Sequence, residues 1–192
     1  MRAPPARRFL QVGLPLAFGA LVLVPLWLGR AGTSPRASGA LPSSSPSAQP
    51  TRGPLPALSG PTLSGAAFDP ATVRGHVVVV NFWNPDCPPC AREAPAIAEA
   101  WSTLRGQGVT FVGVMYVGGT WPDDAVAARS FATRYGLGYP IVVDRGSPIA
   151  REAGIPGIPI TVVADADGVM RYRIVGPVRA GQLESLVRSI SD

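Results

Sequence analysis

The chain contains no lysine. All 17 basic side chains are arginines, a peculiarity of composition that carries no chemistry by itself. Histidine occurs once, as His76, and cysteine twice, as Cys87 and Cys90. A structural zinc site takes four ligands, usually cysteine and histidine, and these three residues cannot supply that set. His76 lies at the edge of an apolar run, a place that suits a strand end better than a catalytic base. Neither cysteine has a threonine or serine three residues before it, as a peroxidatic cysteine would want. Asn84 holds that place before Cys87, and Cys87 itself holds it before Cys90.

Acidic residues are also missing from one end. None precedes Pro54, whereas Arg2, Arg7, Arg8, Arg30, Arg36 and Arg52 all do. From Leu55 onward 11 arginines face 12 aspartates and glutamates, a net of −1. The sequence pI of about 10.0 therefore belongs to the leader, and no nucleic-acid-binding surface follows from it.

Within that leader, residues 1–8 are basic and an uncharged apolar run extends from Phe9 to Gly29, long enough to cross a bilayer as a helix. Arginines before the run predict a single-pass anchor at the cell membrane, with a cytoplasmic N-terminus and the remainder outside. A cleaved signal peptide is the competing reading, although its apolar core would be shorter and no small-x-small site directly follows Leu28. No cysteine stands near the end of the run, which excludes a lipid-anchored lipoprotein. Residues 30–54, rich in Pro, Ser, Ala and Gly, predict a disordered tether. Residues 55–192 are then one domain with a single well-formed core.

That domain is organised around Asn81-Phe82-Trp83-Asn84-Pro85-Asp86-Cys87-Pro88-Pro89-Cys90. Val77 to Val80 with Phe82 is an apolar run bounded by Gly75 and Pro85, the pattern of a strand buried on both faces. A helix follows. Cys87 serves as its cap, Pro88 and Pro89 occupy the first turn, where a missing N–H costs nothing, and Glu93, Ile97, Glu99 and Trp101 continue it. Pro95 lies inside this helix and should kink it.

Residues i and i+3 of a first helical turn are neighbours, so Cys87 and Cys90 can close a disulfide with little movement. Such a short loop gains little entropic stabilisation, so a structural role explains the pair poorly. A redox role explains it well. The free N–H groups and positive dipole end of the helix favour a thiolate at Cys87, and Cys90, one turn in, would be more protected and suited to resolving a mixed disulfide. The two sulfurs supply the redox couple, and no cofactor or metal is expected.

The remaining pattern is coarse but ordered. Leu58 to Phe68 predicts an edge hairpin, and Asp69-Pro70 a brief helical turn. Val109 to Val117 is a second strand, and Asp123 to Tyr135 a helix with Val126, Ala127 and Phe131 facing inward. A short strand follows at Ile141–Val143, then a short helix at Ser147–Ala153. Ile160 to Val163 and Val169 to Val175 pair across Asp165-Ala166-Asp167-Gly168, where the two aspartates are turn residues. Gln182 to Ile190 closes the chain as a helix with Leu183, Leu186, Val187 and Ile190 at core spacing. Strands alternating with helices, then a hairpin and a last helix, give an α/β sandwich with a mixed central sheet.

Strand, Trp83, Cys87-Pro88-Pro89-Cys90 and a helix carrying Pro95 together resemble the thioredoxin fold, and so does Gly154-Ile155-Pro156-Gly157-Ile158-Pro159-Ile160-Thr161 before the hairpin. More narrowly, the anchor, Asn81-Phe82-Trp83, Tyr139-Pro140 before Ile141, and the helical insert at Asp123–Tyr135 resemble the TlpA/ResA-like branch. That branch comprises membrane-anchored extracytoplasmic thiol-disulfide oxidoreductases and includes cytochrome c maturation factors. The resemblance implies a thioredoxin-like three-layer sandwich and a cis Ile158–Pro159 bond. It also implies an apolar docking face built from Trp83, Ile158 and Pro159, with core packing as an equal role for Trp83.

Three departures bear on the chemistry. Asp86 replaces the Trp common before the first cysteine, and its carboxylate opposes thiolate formation. Asn81 stands where thioredoxin keeps a buried Asp. No glutamate ends the Val109–Val117 strand, and with Glu93 read as complementing the first helical turn, Cys90 has no side-chain proton partner. The expected partners are protein thiols and disulfides, among them apocytochrome c, with a membrane electron donor if the pair works as a reductant. An oxidase or isomerase of secreted proteins, and a non-catalytic binding module on the same scaffold, remain the alternative readings.

Overall fold

A computed structural model describes residues 47–191; the basic N-terminus, the Phe9–Gly29 run and most of the tether lie outside the described residues. Eight strands and four helices follow in order: β1 (Ala48–Pro50), β2 (Gly60–Pro61), β3 (Ala67–Phe68), β4 (Val77–Trp83), α1 (Pro88–Leu104), β5 (Val109–Val117), α2 (Ala125–Tyr135), β6 (Ile141–Arg145), α3 (Pro148–Glu152), β7 (Ile160–Ala164), β8 (Met170–Val175) and α4 (Gln182–Ser191). Six strands form one sheet in the order β1-β8-β7-β4-β5-β6, and β2 pairs with β3 in a separate hairpin. β4, β5 and β6 run parallel, while β7 lies antiparallel to both β4 and β8. The expected thioredoxin-like sandwich with a mixed central sheet is the fold observed.

β4 sits third from the β6 end of the six-stranded sheet and leads into the cysteine motif. Its four valines and Phe82 are apolar without alternation because helices or loops cover both faces. Val79 and Trp83 point into one core with Ile97, Phe131, Leu183 and Val187. Val78, Val80 and Phe82 point into a second core with Leu58, Phe68, Ile149 and Ile155. Helices α1, α2 and α4 therefore share one face of the sheet, and α3 with the N-terminal segment covers the other.

Turn chemistry sets the boundaries. Asp124 caps α2 by accepting from the backbone N–H groups of Val126 and Ala127, and Gly136 ends it in the left-handed region at φ 70°. Asp165 accepts from the N–H groups of Asp167 and Val169, which closes the β7–β8 hairpin. Helix α1 runs unbroken from Pro88 to Leu104 with Pro95 inside it.

Two expectations change. Residues 48–50 fall in the stretch read as tether, yet they form β1, paired with Tyr172–Ile174 of β8. A three-residue edge strand held by main-chain hydrogen bonds is too short to show an apolar period, and Pro50 is tolerated there because an edge strand needs only one side bonded. Val126, read as inward-facing, is 67% exposed, whereas Phe131 faces the core as expected and Ala128 joins it. Val126 lies in the first turn of α2, on the side away from Ala128 and Phe131, which carry its buried face. Among the described residues no helix is long and apolar enough to cross a membrane.

Candidate active site

The chain leaves β4 through Asn84-Pro85-Asp86 and enters α1 at Cys87. Asn84, fully buried, fixes this turn from both sides. Its Nδ2 donates to the carbonyls of Tyr116 (2.9 Å) and Pro122 (3.1 Å), and its Oδ1 accepts from the Asp86 N–H. The carbonyl of Asn84 accepts from the Cys87 N–H. One asparagine thus ties the cysteine loop to the end of β5 and to the loop before α2.

Cys87 is the N-cap of α1, with Pro88 and Pro89 opening the helix. Its Sγ accepts a hydrogen bond from the Cys90 N–H at 3.2 Å, and the Cys87 and Cys90 sulfurs are joined as a disulfide across a Cα–Cα distance of 5.2 Å. Cap geometry favours negative charge on Cys87, because free N–H groups and the positive end of the helix dipole point at it. Accessibility does not separate the pair: both cysteines are 1% exposed in the disulfide form. The expected greater protection of Cys90 is thus replaced by equal burial, and electrostatic placement alone singles out Cys87.

Beneath the pair lies a buried carboxyl. Glu93 follows Cys90 by three residues on the same helical face, and it too is 1% exposed. Its Oε1 accepts from Asn81 Nδ2 at 2.8 Å, and its Oε2 from the Val178 N–H at 2.9 Å. Asn81 Nδ2 also donates to Thr161 Oγ1 at 2.9 Å. Burial pushes the Glu93 pKa up to about 7, against the downward pull of the Val178 N–H and the Asn81 amide. Tyr139, wholly buried nearby, is pushed up first by burial and then by the Glu93 charge.

This corrects the sequence reading of Glu93 as a helix-end charge. It occupies the apolar stripe of α1 with Cys90, Ala94, Ile97, Ala100 and Leu104, so it faces the core rather than solvent. A carboxyl there holds its proton to higher pH than an exposed one, because burial disfavours its charged form. The position in the stripe was the available signal. Asn81 stands where thioredoxin keeps a buried aspartate, and the buried carboxyl beside it comes from Glu93 on the helix.

The docking residues divide. Trp83 is 1% exposed and stacks on Phe131 with ring centroids 4.6 Å apart. It therefore lies under the expected docking face rather than on it, because the alternation of β4 turns it into the core. The Ile158–Pro159 bond is cis, and both residues line a cleft of about 390 Å³ against the start of α1. The Ile158 backbone makes no hydrogen bond among the described residues, so one N–H and one C=O stand free beside the disulfide. His76 is exposed, and its Nδ1 lies 3.2 Å from the Gly108 carbonyl, at the start of β4, whereas the cysteines follow that strand's other end.

A disulfide seated at a helix start in this sheet order is the working part of the thioredoxin-fold thiol-disulfide oxidoreductases, and known proteins place the chain among them. The Redoxin family model matches residues 46–190, and the chain belongs to that family. Thiol-disulfide oxidoreductase ResA of Geobacillus kaustophilus is 32% identical over 128 residues, covering 67% of this chain and 71% of the relative. A secreted Mycobacterium tuberculosis disulfide oxidoreductase, described as homologous to E. coli DsbE, is similar at 31% identity and TM-score 0.57, over 69% of this chain and 93% of that one. A thiol:disulfide interchange protein of the thioredoxin family from Chlorobium tepidum is similar at 30% identity and TM-score 0.63, over 75% and 98%. The protein is a ResA-like thiol-disulfide oxidoreductase.

Proposed function

We propose that this oxidoreductase works outside the cytoplasmic membrane, held there by Phe9–Gly29, and that it keeps the thiols of partner proteins reduced, as in cytochrome c maturation. The observation that carries the reading is the Cys87–Cys90 disulfide at the start of α1 with the buried Glu93 three residues beyond it. In the reduced protein the Cys87 thiolate attacks one sulfur of a partner disulfide. A Cys87–partner disulfide forms and the partner's second sulfur leaves as a thiolate. Cys90 then loses its proton to Glu93 and attacks Cys87 Sγ. This closes the Cys87–Cys90 disulfide and releases the partner's other thiol, so two electrons have passed to the partner. A partner of this kind meets the cleft beside Ile158 and Pro159.

An oxidising compartment demands a renewed supply of electrons, so a membrane donor would return the pair to the dithiol. The deciding measurement is the reduction potential of the Cys87–Cys90 couple in thiol-disulfide buffers. A value near or below about −250 mV supports the reductant reading. A value of about −120 to −180 mV would replace it with an oxidase or isomerase of secreted proteins. Fusion of a reporter active only outside the cytoplasm after Gly29 tests the location, and an inactive reporter would refute it.

A further inference from the structure

The cleft beside the disulfide has one feature that exchange chemistry does not require. Its lining is apolar or backbone nearly throughout, with Pro89, Ile158, Pro159, Val175 and Pro177 prominent, and it contains a single charged side chain, Arg92. Val175 is 49% exposed, which is unusual for a large aliphatic residue beside a groove and leaves an apolar floor uncovered. Arg92 is exposed and has no hydrogen-bond or ion-pair partner among the described residues. The next residue, Glu93, is turned into the core and already saturated by Asn81 and Val178. Nothing within the described fold therefore answers the guanidinium.

A peptide laid along this cleft would strip water from Arg92. An unpaired arginine covered in that way opposes binding, whereas one met by a carboxylate gains a fork-shaped, charge-assisted pair. A lysine or arginine in the same place would be repelled, so the residue discriminates as well as attracts. Position narrows the choice further. Arg92 lies five residues along α1 from Cys87, a rise of about 7.5 Å, which is the length of about two residues of extended chain. The free Ile158 backbone holds such a chain extended.

We propose that Arg92 is a specificity-determining residue that selects partner segments carrying an aspartate or glutamate about two residues from the reactive cysteine. This rests on the reading that partner proteins exchange at Cys87.

The test uses the full chain, reduced, against synthetic peptides whose single cysteine is joined to 2-mercaptoethanol. The peptides carry Asp, Asn or Lys two residues before or after that cysteine, and release of the peptide thiol is followed in time. The Asp peptide is expected to react about three- to fivefold faster than the Lys peptide at low ionic strength, the range of an exposed charge pair. The ratio should shrink toward one as salt screens it. Using the ratio within each variant cancels any general effect on thiolate reactivity. Arg92→Lys should keep the preference, Arg92→Gln abolish it and Arg92→Glu invert it. Equal rates for the Asp, Asn and Lys peptides at both positions in the unmodified chain, or a preference that survives Arg92→Gln, would overturn the assignment while leaving exchange intact. Failure of every peptide to react, with the neutral 2,2′-dipyridyl disulfide still consumed, would instead remove the partner-exchange reading and the selectivity with it.

Discussion

Asn81 on β4 and Glu93 on α1 meet through a 2.8 Å hydrogen bond, and that contact joins the central strand to the redox helix beneath Cys90. The same amide holds Thr161 on β7, so one side chain fastens the helix carrying the cysteines and the strand that follows Ile158–Pro159. Asn81→Asp would place two carboxyls in that contact. Both cannot ionise at such a distance, so one stays protonated through neutral pH. We expect a carboxyl titrating above about pH 7 that the unmodified protein lacks, seen by carbon-detected NMR of the side chains. Because a raised pKa adds stability that is lost as pH rises through it, this variant should lose more stability between pH 6 and 9 than the parent.

Glu93 itself gives a signed pH dependence. Its folded pKa of about 7 lies above the ordinary carboxyl value of 4.5, so the native state binds this proton more tightly than the unfolded chain. The contribution to stability is complete below about pH 4.5 and is lost as pH rises through 7, on the order of 3 kcal/mol in all. Glu93→Gln should flatten this part of the stability curve, measured by urea unfolding at several pH values. Its amide nitrogen would face the Val178 N–H, leaving a buried donor unpaired, so stability at pH 5 should also fall by about 1–3 kcal/mol. An unchanged slope between pH 5 and 7 would show that Glu93 does not titrate there.

Exchange through the pair predicts unequal outcomes for the two cysteines. Cys90→Ser removes the resolving thiol and should accumulate mixed disulfides between Cys87 and partner proteins, visible on non-reducing gels and reversed by reductant. Cys87→Ser should yield none. Absence of adducts from Cys90→Ser under conditions where the unmodified protein turns over would rule out Cys87 as the attacking sulfur. A cellular phenotype that survives Cys87→Ser would favour a non-catalytic binding role.

The turn before the cysteines is testable through Asn84. Asn84→Ala releases the carbonyls of Tyr116 and Pro122 and the N–H of Asp86 at once. We expect a loss of about 1–3 kcal/mol in thermal or denaturant unfolding, together with faster alkylation of the reduced cysteines as the loop loosens. Wild-type alkylation rates in this variant would show that the turn is fixed by other contacts.

Gly113 on β5 lies against the neighbours of the site. A Cβ there would come within 2.9 Å of Ile141 Cγ1, 3.1 Å of Trp83 Nε1 and 3.2 Å of the Tyr139 ring. Gly113→Ala should therefore overpack the core and cost about 1–3 kcal/mol, with a change in Trp83 fluorescence as its ring shifts.

Much of this architecture was legible in the sequence because its strongest signals are local. The valine run of β4, the prolines opening α1 and the Asp-Gly hairpin each state their conformation within a few residues, whereas the cis bond before Pro159 was implied by the family resemblance. What escaped depended on partners distant in the chain. Glu93 looks like a charge near a helix start until Asn81, Val178 and the apolar stripe around it are placed together. Trp83 beside the cysteines suits a docking surface and core packing equally, and the pleat of β4 and the position of Phe131 decide for the core. Residues 48–50 have no apolar pattern to reveal a strand, because Ala48 alone reaches the core and main-chain pairing with β8 does the rest. Val126 misled because an apolar side chain in a helix does not by itself say which face packs; that is set by where Ala128 and Phe131 meet the sheet.

The segment between Ala48 and Phe68 touches both ends of the sheet. β1 bonds along β8 at one end. At the other, Thr62 bridges to Val142 and the Leu63 N–H donates to the Ile141 carbonyl, so the hairpin lies over β6. Each covering element is very short and carries proline, at Pro50 and Pro61. Open strand edges are templates on which further chains can add, and short, proline-bearing cover strands resist such addition. The run that precedes the redox motif is therefore a guard against self-association. A protein trimmed to begin at Asp69 would expose both flanks at once and become prone to edge-to-edge aggregation, however intact its cysteines.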